Sequence, residues 1–347
     1  MLKANYTKLI LKFNFPGGTS RGVLTVKPSW FIKIWDDIAP ELCGIGEVSI
    51  IPGLSPETEG VIEKHLAELK NNPLAFITKQ KESLKGKPAI RFGIETALFD
   101  MQNGGKRILY PSEFTEGKKG ITINGLVWMG NKDEMLSRIK EKVDSGFSCI
   151  KIKVGAINFE DELDLLKYIR KSFSESTLQL RVDANGAFLP NESFHKLEQL
   201  SKYNLHSIEQ PIKAGQWQAM ANLCKQTPLP VALDEELIGI DEDQRKTELL
   251  KTIKPQYIVL KPSLIGGLAE TTNWASLAEQ SNIDWWVTSA LEGNIGLNAI
   301  AQWTYKYGSN MPQGLGTGQV FSNNIDSPLE IKRDELYYNP NKDWDKI

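Results

Sequence analysis

Short β-rich runs, each ending in a charged or polar residue, recur along the chain at a nearly constant interval. Their ends are Lys153, Asp183, Glu209, Asp234, Lys261 and Ser289, separated in turn by 30, 26, 25, 27 and 28 residues. That interval suits a unit of one strand, one loop and one amphipathic helix. The units do not repeat in sequence, so the spacing predicts an eight-fold βα barrel and not a repeat array. The candidate strands are 121–128, 149–154, 178–183, 207–209, 231–234, 257–261, 285–289 and a weak one near Gly314.

The first hundred residues have a different pattern. Residues 6–15 alternate between apolar and polar, and residues 23–26 follow after a Pro-Gly-Gly turn, which predicts two antiparallel strands. Helical spacing of apolar residues follows in 56–69 and 89–100. We therefore predict an α+β domain over 1–115 and the barrel over 116–321, with the tail 322–347 packing on the first domain. The length, 347 residues, fits two domains or one barrel with an attachment.

The charge balance limits the partners of the chain. It has 41 Lys plus Arg against 43 Asp plus Glu and no block of five like charges, which argues against nucleic acid and an anionic membrane as partners. Lys3, Lys8 and Lys12 interrupt the apolar positions at the start, and no apolar run reaches the roughly 18 residues of a membrane span. The expected location is the cytoplasm, and a homo-oligomer is compatible with the sequence.

In a βα barrel, the carboxyl ends of the strands surround one shared mouth, where such enzymes place their active sites. Three successive strands here end in Asp183, Glu209 and Asp234. Carboxylates that converge repel one another unless a cation lies between them. An all-oxygen set without a cluster of His or Cys favours Mg²⁺, with Mn²⁺ as an alternative, over zinc. The sequence therefore predicts a metal site.

Lysines flank this carboxylate set. Lys151 and Lys153 lie two positions apart on one strand and face the same way, and Lys261 follows the sixth strand, across the mouth. A lysine acts as a general base when burial, a cation or a second lysine brings its pKa toward neutrality. A single charged strand end is more often a solvated loop residue, and Asn185-Gly186 alone is a turn signal. Five such groups on five successive strand ends favour a catalytic site.

With these residues the chain resembles the enolase superfamily, in its muconate-lactonizing-enzyme-like branch. The resemblance covers nearly the whole chain and includes residues 19–22, residues 92–100 and the ordered Lys-x-Lys, Asp, Glu, Asp and Lys pattern. It implies a modified (β/α)8 TIM-type barrel, (β/α)7β, with an α+β capping domain. It also implies abstraction of a proton α to a metal-bound carboxylate, with Asp183, Glu209 and Asp234 as metal ligands. Lys153 matches the base and Lys261 the opposing lysine, and Lys151 would support the base.

Within this branch the chain is most similar to the o-succinylbenzoate synthase family of menaquinone biosynthesis. The resemblance implies a Mg²⁺-dependent lyase that dehydrates a small dicarboxylate, 2-succinyl-6-hydroxy-2,4-cyclohexadiene-1-carboxylate. Dipeptide epimerases of the branch carry an Asp-x-Asp pair near the seventh strand, and none occurs between Trp285 and Gly296. The residues expected to contact the substrate are Asn185, Thr288, Ser289, Gly314 and Arg21.

Two alternatives remain open at this point. An N-acylamino-acid racemase, or another epimerase of the same branch, also needs one lysine on each side of its substrate. A noncatalytic barrel would bind a metal or a partner without turnover, and the intact set of five charged groups argues against it.

Overall fold

Three sheets organise the part of the chain that the structure describes, which comprises residues 1–19, 22–128, 130–155 and 157–345 of a computed structural model. An antiparallel sheet of three strands opens the chain, a parallel sheet of seven follows, and a small antiparallel sheet joins residues near the end to residues near position 121. Along these residues no helix is long and apolar enough to cross a bilayer.

The first sheet and three helices form the α+β capping domain that the sequence predicted. The strands are β1 (Leu2–Thr19), β2 (Gly22–Asp36) and β3 (Ala39–Ser49), and the helices are α1 (Glu59–Asn71), α2 (Pro73–Ser83) and α3 (Pro88–Gln102). Alternate residues of β2, Trp30, Ile32 and Ile34, are buried against the apolar faces of α1 and α3. The first predicted strand, 6–15, lies inside β1, the second, 23–26, is only the start of β2, and β3 and α2 were not predicted.

Glycines in β3 allow α3 to lie directly on the sheet. A Cβ at Gly46 would lie 1.9 Å from the carbonyl oxygen of Gly93, and one at Gly44 would lie 1.9 Å from that of Ala97. Both contacts are with backbone atoms, which cannot rotate away. The absence of side chains at Gly44 and Gly46 therefore sets the distance between β3 and α3.

We expect Gly46→Ala to lower the free energy of unfolding by about 3 kcal/mol, because the added methyl group forces sheet and helix apart. Urea denaturation followed by circular dichroism measures the loss. Gly60→Ala is the matched control, since Gly60 lies in α1 and a Cβ there meets nothing within 4 Å. That control should be neutral or slightly stabilising, and equal destabilisation by both changes would contradict the packing argument.

The seven-stranded parallel sheet is the barrel. Its strands are β5 (Gly125–Val127), β6 (Cys149–Lys153), β7 (Gln179–Asp183), β8 (Ser207–Glu209), β9 (Val231–Leu233), β10 (Tyr257–Leu260) and β11 (Asp284–Val287), in sequential spatial order. Its helices are α4 (Lys132–Asp144), α5 (Phe159–Ser172), α6 (Pro190–Ser201), α7 (Trp217–Gln226), α8 (Asp243–Ile253), α9 (Pro262–Ile265), α10 (Leu268–Gln280) and α11 (Asn294–Tyr307). The predicted fold class, a modified βα barrel with an α+β cap, is confirmed.

The eighth position of the barrel is the weak one that the sequence indicated. Among the described residues, parallel bridges from Thr288 to Gly314 and from Ile123 to Gln313 close the gap between β11 and the start of the barrel. A Cβ at Gly314 would lie 1.7 Å from Oγ1 of Thr288. Glycine at position 314 allows this close approach, and the closing segment consists of two isolated bridges.

The residues after the barrel contact both parts of the molecule. The side chain of Asn323 accepts a hydrogen bond from the backbone of Lys12 at 2.8 Å and donates one to Ile10 at 2.8 Å, both in β1. Farther on, β12 (Leu329–Lys332) and β13 (Glu335–Tyr338) form a hairpin, and β13 pairs with β4 (Ile121–Thr122) at the entry to the barrel. The tail thus joins β1 to β4.

Candidate active site

The charged residues that the sequence placed at strand ends lie together at one end of the barrel. Lys153 is paired with Asp183 across β6 and β7, and Asp183 is paired with Glu209 across β7 and β8. Asp234 and Lys261 directly follow β9 and β10. All of these side chains are buried. Parallel strands in register therefore bring residues from five separate chain segments to one place.

Ammonium and carboxylate groups in this site contact one another closely. Lys153 Nζ donates to Asp183 Oδ2 at 2.6 Å, and Lys151 Nζ lies 3.1 Å from the same oxygen. Lys151 also donates to Glu209 Oε2 at 2.8 Å. Lys261 donates to Asp234, and its Nζ lies 3.8 Å from Glu209 Oε1. Three lysines thus neutralise three buried carboxylates.

Burial and neighbouring charges shift the pKa values of Asp234 and Asp183 in opposite directions. Burial raises the pKa of Asp234, and the carboxylates of Glu235 and Glu209 raise it further, so it lies well above its usual range. Burial alone would also raise the pKa of Asp183, but the ammonium groups of the neighbouring lysines, first Lys153, hold it well below its usual range. The surroundings of Asp234 are therefore more negative than those of Asp183.

Two of the lysines are held in their charged form. Burial alone would lower the pKa of Lys151, but Glu209 and Asp183 raise it above its ordinary value. Burial acts in the same direction on Lys261, where Asp234 and Glu209 outweigh it and raise the pKa. Both side chains are therefore fixed positive charges in the site, since the gain from the carboxylates exceeds the cost of burial.

The carboxylate set fits a divalent cation in its chemistry. As they stand, no three His, Cys, Asp or Glu side chains within the described ranges converge closely enough to hold a metal, because the lysines engage these carboxylates. Among the described residues, Glu209 Oε1 is nevertheless buried without a hydrogen-bond partner, and the carboxylates of Glu235, Glu209 and Asp183 lie near Asp234. Carboxylate oxygens are the ligands that Mg²⁺ prefers, so these three side chains have the chemistry to hold the ion once they exchange their lysine partners for it.

Asn185 and Glu235 connect Lys153 to the loop after β9. Asn185 has a positive φ of 45°, and its Oδ1 accepts a hydrogen bond from Lys153 Nζ at 2.6 Å. Its Nδ2 donates to Glu235 Oε1 at 3.0 Å. Sequence reasoning did not single out Glu235. Its position directly after Asp234 was the available signal, because residues beside a strand end share the mouth.

A cavity of about 810 Å³ lies above these residues, between the two domains. The capping domain contributes residues that include Phe13, Phe15, Leu24, Ile51, Pro52 and Leu54. The barrel contributes Lys151, Lys153, Lys261 and four of the predicted substrate contacts, Asn185, Thr288, Ser289 and Gly314. The fifth, Arg21, lies outside the described residues. The cavity thus has apolar walls on the capping side and charged groups on the barrel side.

The two hydroxyl groups of the loop after β11 differ in their contacts. Ser289 Oγ contacts Thr317 Oγ1 and accepts a hydrogen bond from the backbone of Leu291 at 3.2 Å. Thr288 Oγ1 is buried and has no hydrogen-bond partner among the described residues. Both residues line the cavity, but the hydroxyl oxygen of Thr288 is enclosed against Gly314.

Comparisons with known proteins agree with this geometry. Residues 134–333, more than half of the chain, match the family described as "Enolase C-terminal domain-like". The chain is 45% identical to the o-succinylbenzoate synthase of Desulfotalea psychrophila over 95% of this chain and 97% of that protein. It is 26% identical to the N-succinylamino acid racemase of Thermus thermophilus, over 83% of this chain and 78% of that one.

A solved structure is similar over the full length. The crystal structure of MenC from Desulfotalea psychrophila matches with a TM-score of 0.86 and 41% sequence identity, covering 97% of this chain and 99% of that one. The resemblance drawn from the strand-end residues is confirmed. The chain belongs to the enolase superfamily.

Proposed function

We propose that this protein is an o-succinylbenzoate synthase, which dehydrates 2-succinyl-6-hydroxy-2,4-cyclohexadiene-1-carboxylate in menaquinone biosynthesis. The observation that carries the proposal is the pair of lysines, Lys153 and Lys261, beside three buried carboxylates at the base of one cavity. The near full-length relative named o-succinylbenzoate synthase supports this choice of substrate. We place the reaction in the cytoplasm, on a small dicarboxylate and without a nucleic-acid or membrane partner.

Asp183, Glu209 and Asp234 are the residues proposed to hold Mg²⁺, for which Mn²⁺ is a substitute. When bound, the cation would supply positive charge to the substrate carboxylate and so favour loss of the neighbouring α-proton. The fixed charges of Lys151 and Lys261 lie at the edge of this set and add to the positive potential of the site.

Lys153 is proposed to move the proton. Its Nζ faces the cavity and must give up its hydrogen bond to Asp183 when it accepts the α-proton of the substrate. Breakage of that C–H bond leaves an electron pair in the ring, and departure of the C6 hydroxyl group completes the aromatic system. Lys153 returns the proton to this hydroxyl group, which leaves as water. Asn185, bonded to Nζ at 2.6 Å, orients the amine throughout.

Lys261 is proposed to stabilise the anionic intermediate from across the cavity, with its ammonium group toward the ring. Asn185, Thr288, Ser289, Gly314 and Arg21 are proposed to contact the substrate. The hydroxyl group of Thr288 has no partner in the described part of the protein, but it is enclosed against Gly314. It can donate to a substrate carboxylate after a change of its side-chain rotamer.

The direct test is a spectrophotometric assay of the purified protein with the cyclohexadiene substrate, followed by the loss of diene absorbance. We expect rapid turnover with Mg²⁺ and a fall of at least about a hundredfold after removal of the metal with EDTA, reversed by added Mg²⁺. No turnover by folded, metal-loaded protein would reject the synthase. Exchange of the α-proton of an N-succinylamino acid in deuterated water would then identify a racemase.

A further inference from the structure

A buried polar cluster of the capping domain lies behind the loop that carries Thr288 and Ser289. The cluster, here called the clasp, consists of Lys27, Ser29, Glu47 and Ser49, all at most 2% exposed. Lys27 donates to Ser49 Oγ, Ser49 Oγ lies 3.1 Å from Ser29 Oγ, and Ser29 donates to Glu47 Oε1 at 2.9 Å. A buried charge is stable only when its hydrogen bonds are satisfied. Lys27 and Glu47 therefore need further partners outside the clasp.

Those remaining partners are backbone groups of the barrel. Glu47 Oε1 accepts from the N–H of Gly293 at 2.7 Å, and Oε2 accepts from the N–H of Gly296 at 2.9 Å. Lys27 donates to the carbonyl oxygen of Leu291 at 2.7 Å. Gly293 is the N-cap residue of α11 and offers no side-chain cap. Glu47 therefore satisfies N–H groups that the helix itself leaves unpaired, in favourable alignment with the helix dipole.

The loop conformation depends on this close approach. A Cβ at Gly293 would lie 3.0 Å from a carboxylate oxygen of Glu47, and a Cβ at Gly296 would lie 3.2 Å from the same oxygen. Leu291, whose carbonyl group Lys27 holds, has a φ of 61°, which a leucine rarely adopts. Such a backbone persists only where surrounding contacts fix it. The clasp supplies two such contacts, from Lys27 to the carbonyl oxygen of Leu291 and from the N–H of Gly293 to Glu47.

Leu291 connects the clasp to the residues that line the cavity. The N–H of Leu291 donates to Ser289 Oγ at 3.2 Å, and Ser289 and Thr288 both line the cavity. We propose that Glu47 and Lys27 are positioning residues, which act through the backbone of Leu291 and Gly293 to place Thr288 and Ser289 against the substrate. This inference rests on the proposed function, and it deepens it by assigning part of the substrate affinity to residues that do not touch the substrate.

Glu47→Gln tests the clasp with little change of shape, because the amide places an N–H₂ group against one of the two backbone N–H donors. We expect the KM for the cyclohexadiene substrate to rise about tenfold with kcat changed by less than about threefold, the pattern of lost binding shared by ground and transition states. Hydrogen–deuterium exchange should become faster in residues 288–296. Ser29→Ala removes only a hydroxyl group and should raise KM about threefold. This milder variant tests the proposal if Glu47→Gln folds poorly.

Glu95→Gln is the matched control. Glu95 is also a capping-domain carboxylate that bonds the start of a barrel helix, accepting from Leu268 at 2.7 Å and Ala269 at 2.9 Å in α10. Its variant should leave KM within about twofold of the parent. Equal changes of KM in both variants would overturn the proposal, as would unchanged exchange in residues 288–296. Absence of turnover in the parent would instead reject the proposed function, and exchange alone would then decide whether the clasp holds the loop.

Discussion

Lys153→Ala should lower kcat for the dehydration by about a thousandfold or more, because a general base contributes about 10²–10⁴-fold and no other amine is bonded as Lys153 is to both Asp183 and Asn185 in the part of the chain described. Affinity for Mg²⁺ should stay the same or rise, since the change removes a positive charge 2.6 Å from Asp183. The spectrophotometric assay measures the first quantity and titration calorimetry the second.

Two further variants distinguish the role of Lys153 as a base from the effect of its positive charge. Lys153→Arg keeps a positive charge but cannot act as a base near neutral pH, so it should be as inactive as the alanine variant. Lys196→Ala removes a lysine of α6 that pairs with Glu192 at 2.7 Å and does not line the cavity, and its activity should equal that of the parent. Retained activity in Lys153→Ala would reject the assignment of the base.

Asp234→Asn should weaken Mg²⁺ binding by about a hundredfold or more and lower kcat/KM in parallel at fixed Mg²⁺ concentration. The amide preserves the shape of the side chain but removes one of the three negative charges that balance the cation. Glu235, Glu209 and Asp183 all lie near Asp234 and raise its pKa, so a cation bound there would offset their repulsion. Calorimetric titration of the metal-free protein with MgCl₂ gives the affinity directly.

Asp164→Asn is the control for this change, since Asp164 lies on α5 and pairs with Lys132 at 3.1 Å on the outer surface. Its Mg²⁺ affinity should match that of the parent, because exposed ion pairs contribute little. If Asp234→Asn binds Mg²⁺ as tightly as this control does, Asp234 is not a metal ligand.

The strand ends were predictable because a parallel barrel converts sequence spacing into spatial proximity. Lys153, Asp183 and Glu209 needed only the strand period and the rule that carboxyl ends share one mouth, and the register of β6, β7 and β8 places them side by side. The weak eighth strand near Gly314 was also visible, as a segment with little strand character. Local patterns therefore sufficed wherever the fold itself sets the neighbours.

Other features depend on which atoms meet after folding, and no local pattern encodes them. The hydrogen bond from Asn185 to Glu235 joins loops fifty positions apart in sequence. Strand β3 was missed because Gly44 and Gly46 weaken its strand signal, although their lack of side chains is what lets α3 pack on it. Glu47 is separated from the helix it caps by more than two hundred residues, so its role emerges only in the folded chain.

Side chains of the capping domain cap two helices of the barrel, which makes the two domains interdependent. Neither α10 nor α11 has a side-chain cap of its own, and Glu95 and Glu47 of the capping domain supply both. A barrel severed from the first hundred residues would begin two of its helices with unpaired N–H groups facing solvent. Separation of the two domains would therefore weaken the first turns of both helices, so the stability of the barrel depends on the capping domain.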